Sequence, residues 1–343
     1  MSIIRGKGSA SVEAFLLDTI GIAVIGRNEG IRLRTCLRST LSAISNGQIV
    51  YVDSASTDAS VDIARQLGVI VVELASTSAF TAARARNAGF AALQDHVPTL
   101  EFVQFVDGDC ELQAGWLSSA VNFLRAHTPV AVVCGHNRER FPHRSIYNWL
   151  CEVEWAAASG AIEATGGNAL YRETAFEQVG GFLPNLPAGE EAEICFRLRQ
   201  CGWSIWRLNV EMTLHDAAME RFQQWWLRTA RGGYAFAQVS HLHWRSRERL
   251  WQREVLRILF WTILLPAGVF VGALLSKVAL LGLLLYPAQI CRVALRHKGQ
   301  DKKRWAYAGF MMLAKFSELH GALNYLLDRW RGKLATGRSE PTR

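Results

Sequence analysis

The chain has 343 residues, half of them hydrophobic, with 12 Trp and a formal net charge of +8, and its pI is near 9.3. That length holds one large domain plus an appendage, and the seven scattered cysteines, with no CxxC pair, read as small buried hydrophobes in a reducing compartment, not as a disulfide framework. The basic residues thicken at 244–257 and 292–304, on either side of the most apolar stretch, a distribution that points to membrane headgroups; no zinc-finger, RNP-type or Lys/Arg-tail signature supports nucleic acid.

Residues 1–18 are weakly patterned and read as an arm, and no apolar h-region marks a secretory signal. Gly21 to Ile25 reads as a buried strand closed by Gly26-Arg27-Asn28-Glu29-Gly30, and a helix follows with apolar positions Ile31, Leu33, Leu37, Leu41 and Ile44. Gln48 to Val52 is a second strand ending in Asp53. Asp58 is placed to cap the next helix, which Gly68 stops. Val69 to Leu74 is a third strand, and a small-residue helix from Thr81 to Leu93 leads to a fourth, Phe102 to Val106. Strands alternating with helices at this spacing predict βαβ units and a mostly parallel sheet, with two strand ends, Asp53 and Asp107, forming one acidic rim.

Further along, Trp116 to Leu124 reads as a helix, Val130 to Cys134 as a strand, and Ile146 to Ser159 as an aromatic helix. Thr165 to Arg172 is a turn running into a strand. Gly189-Glu190-Glu191 opens a helix that ends at Gly202, and two short late strands, Trp203 to Leu208 and Met212 to Asp216, carry His215. Arg221 to Tyr234 is a Trp- and Arg-rich helix. Ile258 to Ser276 then runs 19 residues without a charge, and 14 more separate Lys277 from Arg292. At ~1.5 Å per residue the first stretch nearly spans a ~30 Å hydrocarbon core, so a hairpin with both basic flanks cytoplasmic is expected. A buried helical pair is the other reading. Residues 305–330 show helical spacing of Trp305, Phe310, Leu319, Leu323, Leu326 and Trp330 and read as an interfacial amphipathic helix, followed by a disordered tail.

The chemistry gathers at Asp107-Gly108-Asp109. Ligands collect at the carboxyl ends of strands in α/β sheets. Two hard oxygen ligands on such a turn suit Mg²⁺ or Mn²⁺ held together with substrate phosphates. An acidic turn of no special role is the alternative.

Six motifs, Arg27-Asn28-Glu29-Gly30, Val52 through Asp58, Ala85-Arg86-Asn87-Ala88-Gly89, Asp107-Gly108-Asp109, Gly166-Gly167-Asn168 and Gly189-Glu190-Glu191, occur in one order over roughly residues 20–235. Together they resemble the family 2 glycosyltransferases of GT-A fold, the membrane-anchored polysaccharide-building subset in particular. The resemblance implies an α/β, Rossmann-like domain over 19–240, with a nucleotide-sugar-binding half (19–125) and an acceptor half (126–240). Beyond it come a basic juxtamembrane segment (241–257), a transmembrane hairpin (258–295), the interfacial helix (296–332) and the tail (333–343).

It also implies a site. A nucleotide diphosphate sugar, UDP-linked by resemblance, would be held by Arg27, Glu29, Asp53, Arg86, Asn87, Asp107, Gly167 and Asn168. Asp109 would ligate Mg²⁺ or Mn²⁺ with Asp107, and His215 would be a third ligand, although a lone histidine is also commonly a simple hydrogen-bonding residue. Glu191 would be the general base for an inverting transfer, with Glu190 the other candidate, since the family usually has Glu-Asp here. The same two acids would also favour a helix N-terminus electrostatically. Trp225, Trp226 and Arg228 would meet the acceptor, or simply pack. The Gln-x-x-Arg-Trp segment of processive relatives is absent: Gln223-Gln224-Trp225-Trp226-Leu227-Arg228 does not fit it.

The expected enzyme therefore adds one sugar per encounter to a lipid-linked glycan, at the inner membrane with its catalytic domain in the cytoplasm. A polyprenyl-phosphate glycosyltransferase and a non-catalytic membrane scaffold are the alternatives. A dehydrogenase is excluded by the lack of GxGxxG after the first strand. Donor sugar, linkage and oligomeric state are not readable from the sequence.

Overall fold

The computed structural model describes residues 17–75, 80–297 and 303–332. The expectations for the first 16 residues and for the tail from 333 fall outside the described residues. The chain divides into two compact units, Met1–Ala218 and Met219–Arg343.

The first unit is built on nine strands: β1 (Ile20–Gly26), β2 (Ile49–Asp53), β3 (Ile70–Glu73), β4 (Phe102–Asp107), β5 (Cys110–Leu112), β6 (Val130–Glu139), β7 (Gly160–Ile162), β8 (Ala169–Arg172) and β9 (Ser204–His215). They form one sheet in the order β3-β2-β1-β4-β8-β6-β9-β5, with β7 also paired to β9. Strands β1, β2 and β4 are near-continuous apolar runs buried on both faces, as parallel strands covered by helices must be. Helices α1 (Ile31–Leu41), α2 (Ser60–Gln66), α3 (Ala82–His96), α4 (Trp116–Ala126), α5 (Ile146–Trp155), α6 (Glu173–Gln178) and α7 (Glu190–Gln200) accompany it.

The expected mostly parallel sheet is corrected to a mixed one. Strands β3-β2-β1-β4 are parallel, and β6 is parallel to β9. Strand β8 runs antiparallel to both β4 and β6, and β5 and β7 run antiparallel to β9. Two strands are also longer than their apolar cores. Strand β6 continues through His136-Asn137-Arg138-Glu139, and the two late segments are one strand, because these polar stretches pair with each other across irregular register, Asn137 with Thr213 and Glu139 with His215. Polar side chains there reflect a ladder leaving the core for the site. Asp58 contributes to the start of α2 as Oδ1 acceptor for Ser60 N at 3.0 Å, although the capping position itself is Ala59.

The second unit holds α8 (Phe222–Leu242), α9 (Gln252–Leu275), α10 (Lys277–Arg296) and α11 (Lys303–Trp330). The Trp-rich helix thus belongs here and not to the sheet domain expected to extend to 240. Helix α9 opens into a π-turn at Phe260–Leu264, just before Pro266; a widened turn accommodates a residue that lacks an N–H and crowds the carbonyl four residues back. Helices α8 and α11 pack backbone to backbone. A Cβ on Gly321 would lie 1.7 Å from Ala230 O, and one on Gly233 would lie 2.0 Å from Glu318 O. One face of α11, including Met312, Ala314, Ser317 and Tyr325, is consequently buried, while Leu323, Leu326 and Trp330 are exposed.

Candidate active site

Register sets the acidic rim. Gly26, the last residue of β1, pairs with Asp53 of β2, and Ile25 pairs with Asp107 of β4, so both acids flank the carboxyl end of β1. Parallel neighbours that end together put their terminal side chains at one crevice.

On one side of this rim the first two motifs lock together. Asn28 N donates to Ser56 Oγ at 2.9 Å and Thr57 N to Asn28 Oδ1 at 2.7 Å, and the N–H groups of Glu29 and Gly30 both reach Ser60 Oγ. Asp53 is 2% exposed. Its Oδ1 accepts from Tyr51 OH at 2.8 Å and Ser56 Oγ at 2.5 Å, and its Oδ2 from Ser56 N at 2.8 Å. The carboxylate therefore shapes the loop through bonds of its own. Arg27 is exposed and stacks over Phe80 at 5.5 Å, with Arg84 over the same ring at 5.8 Å. Glu29 pairs with Arg32 at 2.8 Å, and burial, followed by the nearby Asp109, raises its carboxyl above the ordinary range.

At the centre, Asp109 Oδ2 lies 3.2 Å from His215 Nε2. Glu139 stands behind the imidazole at ion-pair distance, its Oε2 3.7 Å from a buried Nδ1 that makes no hydrogen bond. Glu139 is itself buried and fixed: Phe141 N and Asn148 Nδ2 donate to Oε1, and Ala217 N to Oε2. Burial disfavours a charged His215, but the neighbouring Asp109 and Glu139 carboxylates outweigh it and push the ring up to about 10. Burial likewise opposes ionisation of Asp109, and His215 reverses it, holding the carboxyl below its ordinary value.

Among the described residues, Asp109, Cys110 and His215 place their ligand atoms within 4.8 Å of one another. Burial, then Asp109, keeps the Cys110 thiol well above its usual range, so the usable donors are a carboxylate oxygen and, once a cation displaces its proton, an imidazole nitrogen. That pair, with a carboxylate behind the histidine, fits Mn²⁺ or Mg²⁺ better than a thiophilic ion.

A third cluster joins the rim to helix α7. Arg86, 2% exposed, sends Nη2 to Asp107 Oδ1 at 2.8 Å and Nη1 to Glu190 Oε1 at 2.7 Å, with Glu191 Oε1 at 3.6 Å. Burial disfavours the guanidinium's charge, but Asp107, Glu191 and Glu190 hold it above its ordinary value. Gly167 is required by this pair: a Cβ there would sit 2.4 Å from Arg86 Nη2 and 2.6 Å from Asp107 Oδ2, and the arginine has no room to retreat from its carboxylates. Asn168 completes the turn, accepting from Asp107 N at 2.9 Å and donating to Cys110 Sγ at 3.3 Å. Of the acidic pair, Glu190 is closed off, its side chain 5% exposed, and Glu191 keeps 20%. Burial and then Glu190 raise the Glu191 carboxyl above its ordinary range.

The structure thus brings Asp107, Asp109, His215, Arg86, Glu190, Glu191, Gly167 and Asn168 into linked clusters at one sheet edge. Asp107, expected as a metal ligand, is outside the Asp109-Cys110-His215 group, with Oδ1 on Arg86. Asn87 has both ends of its amide on the Phe182 backbone, at 2.7 and 2.9 Å. In the second unit, Trp225 is buried against Phe310 and Phe222, and Trp226 donates Nε1–H to His320 at 3.2 Å, so packing occupies them; Arg228 lies on the same helix, half-buried. Glu139 is the residue of this cluster that sequence reading misses. An acid at the end of an unrecognised strand extension carries no signal until the β6–β9 register is known.

The model described as glycosyl transferase family 2 matches residues 22–180. Two curated relatives, both named pre-mycofactocin glycosyltransferase and from strains of Mycobacterium tuberculosis, are 28% identical over 171 residues, which is 47% of this chain and 35% of theirs. The chain therefore spans about a third of the length of those relatives. Among solved structures, the mannosyltransferase PcManGT from Pyrobaculum calidifontis, in complex with GDP-Man and Mn²⁺, superposes with a TM-score of 0.61 at 19% identity, over 91% of this chain and 88% of that one. The fold is shared at that distance. Residues 22–180 thus resemble glycosyl transferase family 2, and the mixed sheet of the first unit, which carries the six motifs, has a GT-A-like fold.

Proposed function

We propose that this enzyme is an inverting, metal-dependent glycosyltransferase that moves one sugar from a nucleotide diphosphate sugar, of UDP type by resemblance, to a lipid-linked glycan at a membrane. The observation that carries the reading is the placement of a cation-compatible pair, Asp109 and His215, on the same sheet edge as a partly buried acid of raised pKa, Glu191.

A divalent cation at Asp109 and His215 would supply the positive charge that offsets the leaving diphosphate. Glu139 orients the imidazole. Glu191 accepts the proton of the attacking hydroxyl as that oxygen bonds to the anomeric carbon from the face opposite the diphosphate, which leaves with the electron pair of the broken C–O bond. A carboxylate of raised pKa suits this step because its proton affinity lies nearer the working pH. Arg86 keeps Glu190 and Asp107 paired and fixes the N-terminus of α7 against the rim.

The lipid-linked acceptor is supported by α9 and α10, two helices long and apolar enough to cross a membrane. Their most apolar windows are only 11% and 6% buried, which argues for a lipid environment over a soluble core. Basic clusters at their outer ends support a cytoplasmic surface for those ends.

The test is nucleotide diphosphate release by purified, detergent-solubilised protein across a nucleotide-sugar panel, with Mg²⁺ or Mn²⁺ and a polyprenyl-linked extract. Metal-dependent release from one donor, lost in folded Asp109→Ala and Glu191→Gln, is the expected result. Turnover unchanged in Asp109→Ala would overturn the metal-dependent mechanism.

A further inference from the structure

Between the polar end of β6 and the end of α5 lies a cavity of about 210 Å³, lined by His136, Asn137, Arg138, Trp155, Ala156 and Ala157. We infer that this cavity is the subsite for one sugar ring of the acceptor, with Trp155 as its aromatic wall. The inference rests on the glycosyltransferase reading above.

Three observations carry it. The first is position. Trp155 meets the His215 ring edge-to-face, with centroids 4.7 Å apart and planes at 74°, so the residue lining the cavity also touches the imidazole that faces Asp109. A ring seated there is one side chain away from His215, a proposed metal ligand.

The second is the character of the lining. A sugar offers an apolar C–H face and a fringe of neutral hydroxyls, which an aromatic wall beside fixed polar groups recognises. The polar groups here are already oriented. Asn137 Oδ1 accepts from Thr213 Oγ1 at 2.7 Å, and His136 Nε2 lies 3.1 Å from Asn209 Oδ1. Arg138 is held at 3.1 Å by Glu211 and 3.0 Å by Glu152. Two carboxylates on the one guanidinium also argue against an anionic occupant such as a phosphate.

The third is size. The volume falls below the ~300–1,000 Å³ of pockets for drug-sized ligands and suits a single ring.

The experiment uses the full chain in detergent with diamagnetic Mg²⁺ and a nucleoside diphosphate. Methyl glycosides of glucose, galactose, mannose and N-acetylglucosamine are the probes, read by saturation-transfer NMR. At least one should bind. Trp155→Ala should weaken it about tenfold or more, as loss of an aromatic contact does, and Trp155→Phe should restore most of the affinity. Because Trp155→Ala also bares His215, Ala157→Phe serves as a second variant. It adds bulk from an exposed lining position and should block binding too.

No binding of any glycoside to the wild type would overturn the inference. So would affinity kept in both Trp155→Ala and Ala157→Phe, or inorganic phosphate displacing the glycosides more strongly than they displace one another. Failure of the underlying reading shows separately, as wild-type protein that binds no nucleotide sugar in the presence of metal.

Discussion

Under the proposed mechanism two demands oppose each other at Glu191: as a base its carboxylate must be ionised to take a proton, yet burial beside Glu190 favours its protonated form. The active, ionised form is therefore lost at a higher pH than for an ordinary glutamate. The acid limb of kcat/KM is expected to have its midpoint well above the usual 4.5. Glu191→Gln should lower kcat by roughly 10²–10⁴-fold and abolish that limb. The stability sign follows from the same shift. A carboxyl whose folded value is raised contributes most below its unfolded value, and the wild type loses that contribution as pH rises through the folded one; the glutamine variant does not. Rate and thermal-unfolding profiles over pH check both, and a limb that persists in Glu191→Gln would transfer the base to another acid. Glu139 acts one step further back. It touches the imidazole and not the reacting atoms, so Glu139→Gln should weaken Mn²⁺ binding by about 10–100-fold in calorimetry while the fold is retained. Unchanged Mn²⁺ affinity would remove its positioning role.

Between elements, Arg86 is the joint. It stands on α3, reaches the end of β4 through Asp107, and holds the start of α7 through Glu190. Removing one partner of a buried ionic cluster leaves the others uncompensated, so Arg86→Ala should cost about 3–5 kcal/mol in denaturant unfolding. A loss under ~1 kcal/mol would mean that the acids find other partners or water. Much of this site was legible in the sequence because its residues sit where strands end. Asp53, Asp107 and Asp109 follow apolar runs whose burial is obligatory, and parallel pairing then aligns their ends. What could not be read were partners that only long-range pairing creates. Glu139 meets His215 through a strand extension built of polar residues, which reads as loop by composition. Asn87 and Trp225 looked like ligand-binding residues by type, yet Asn87 closes on the Phe182 backbone and Trp225 fills a helix contact. Type signals chemistry, but only the packing partner decides whether that chemistry faces a ligand.

For the whole molecule, the open question of the sequence was whether the second apolar segment is long enough to span a membrane. Counted as α-helix, 14 uncharged residues reach only ~21 Å. The structure changes the sum. Helix α10 opens with eight residues, Lys277–Leu284, in 3₁₀ geometry and continues with twelve in α geometry. At ~2.0 and ~1.5 Å per residue its 14 uncharged residues extend about 24.5 Å, and the whole helix with its charged ends about 34 Å, against a core of ~30 Å. Helix α9, with 24 residues, reaches about 36 Å. Lys277 falls at the bend between them, where Ser276 Oγ accepts from Val278 N at 3.3 Å, and not in mid-span. A hairpin then puts both basic ends on one surface and Ser276 on the other. The check is a cysteine at Ser276, in a chain whose two exposed cysteines, Cys201 and Cys291, are changed to Ser. In sealed vesicles that display the donor-binding unit outward, an impermeant maleimide should leave this cysteine unlabelled until detergent is added. Labelling before detergent would mean that the pair lies in one leaflet with its bend returned to the catalytic side. Such a fold would still hold the enzyme at a lipid-borne acceptor, but it would remove the two-span topology that the lengths of α9 and α10 support.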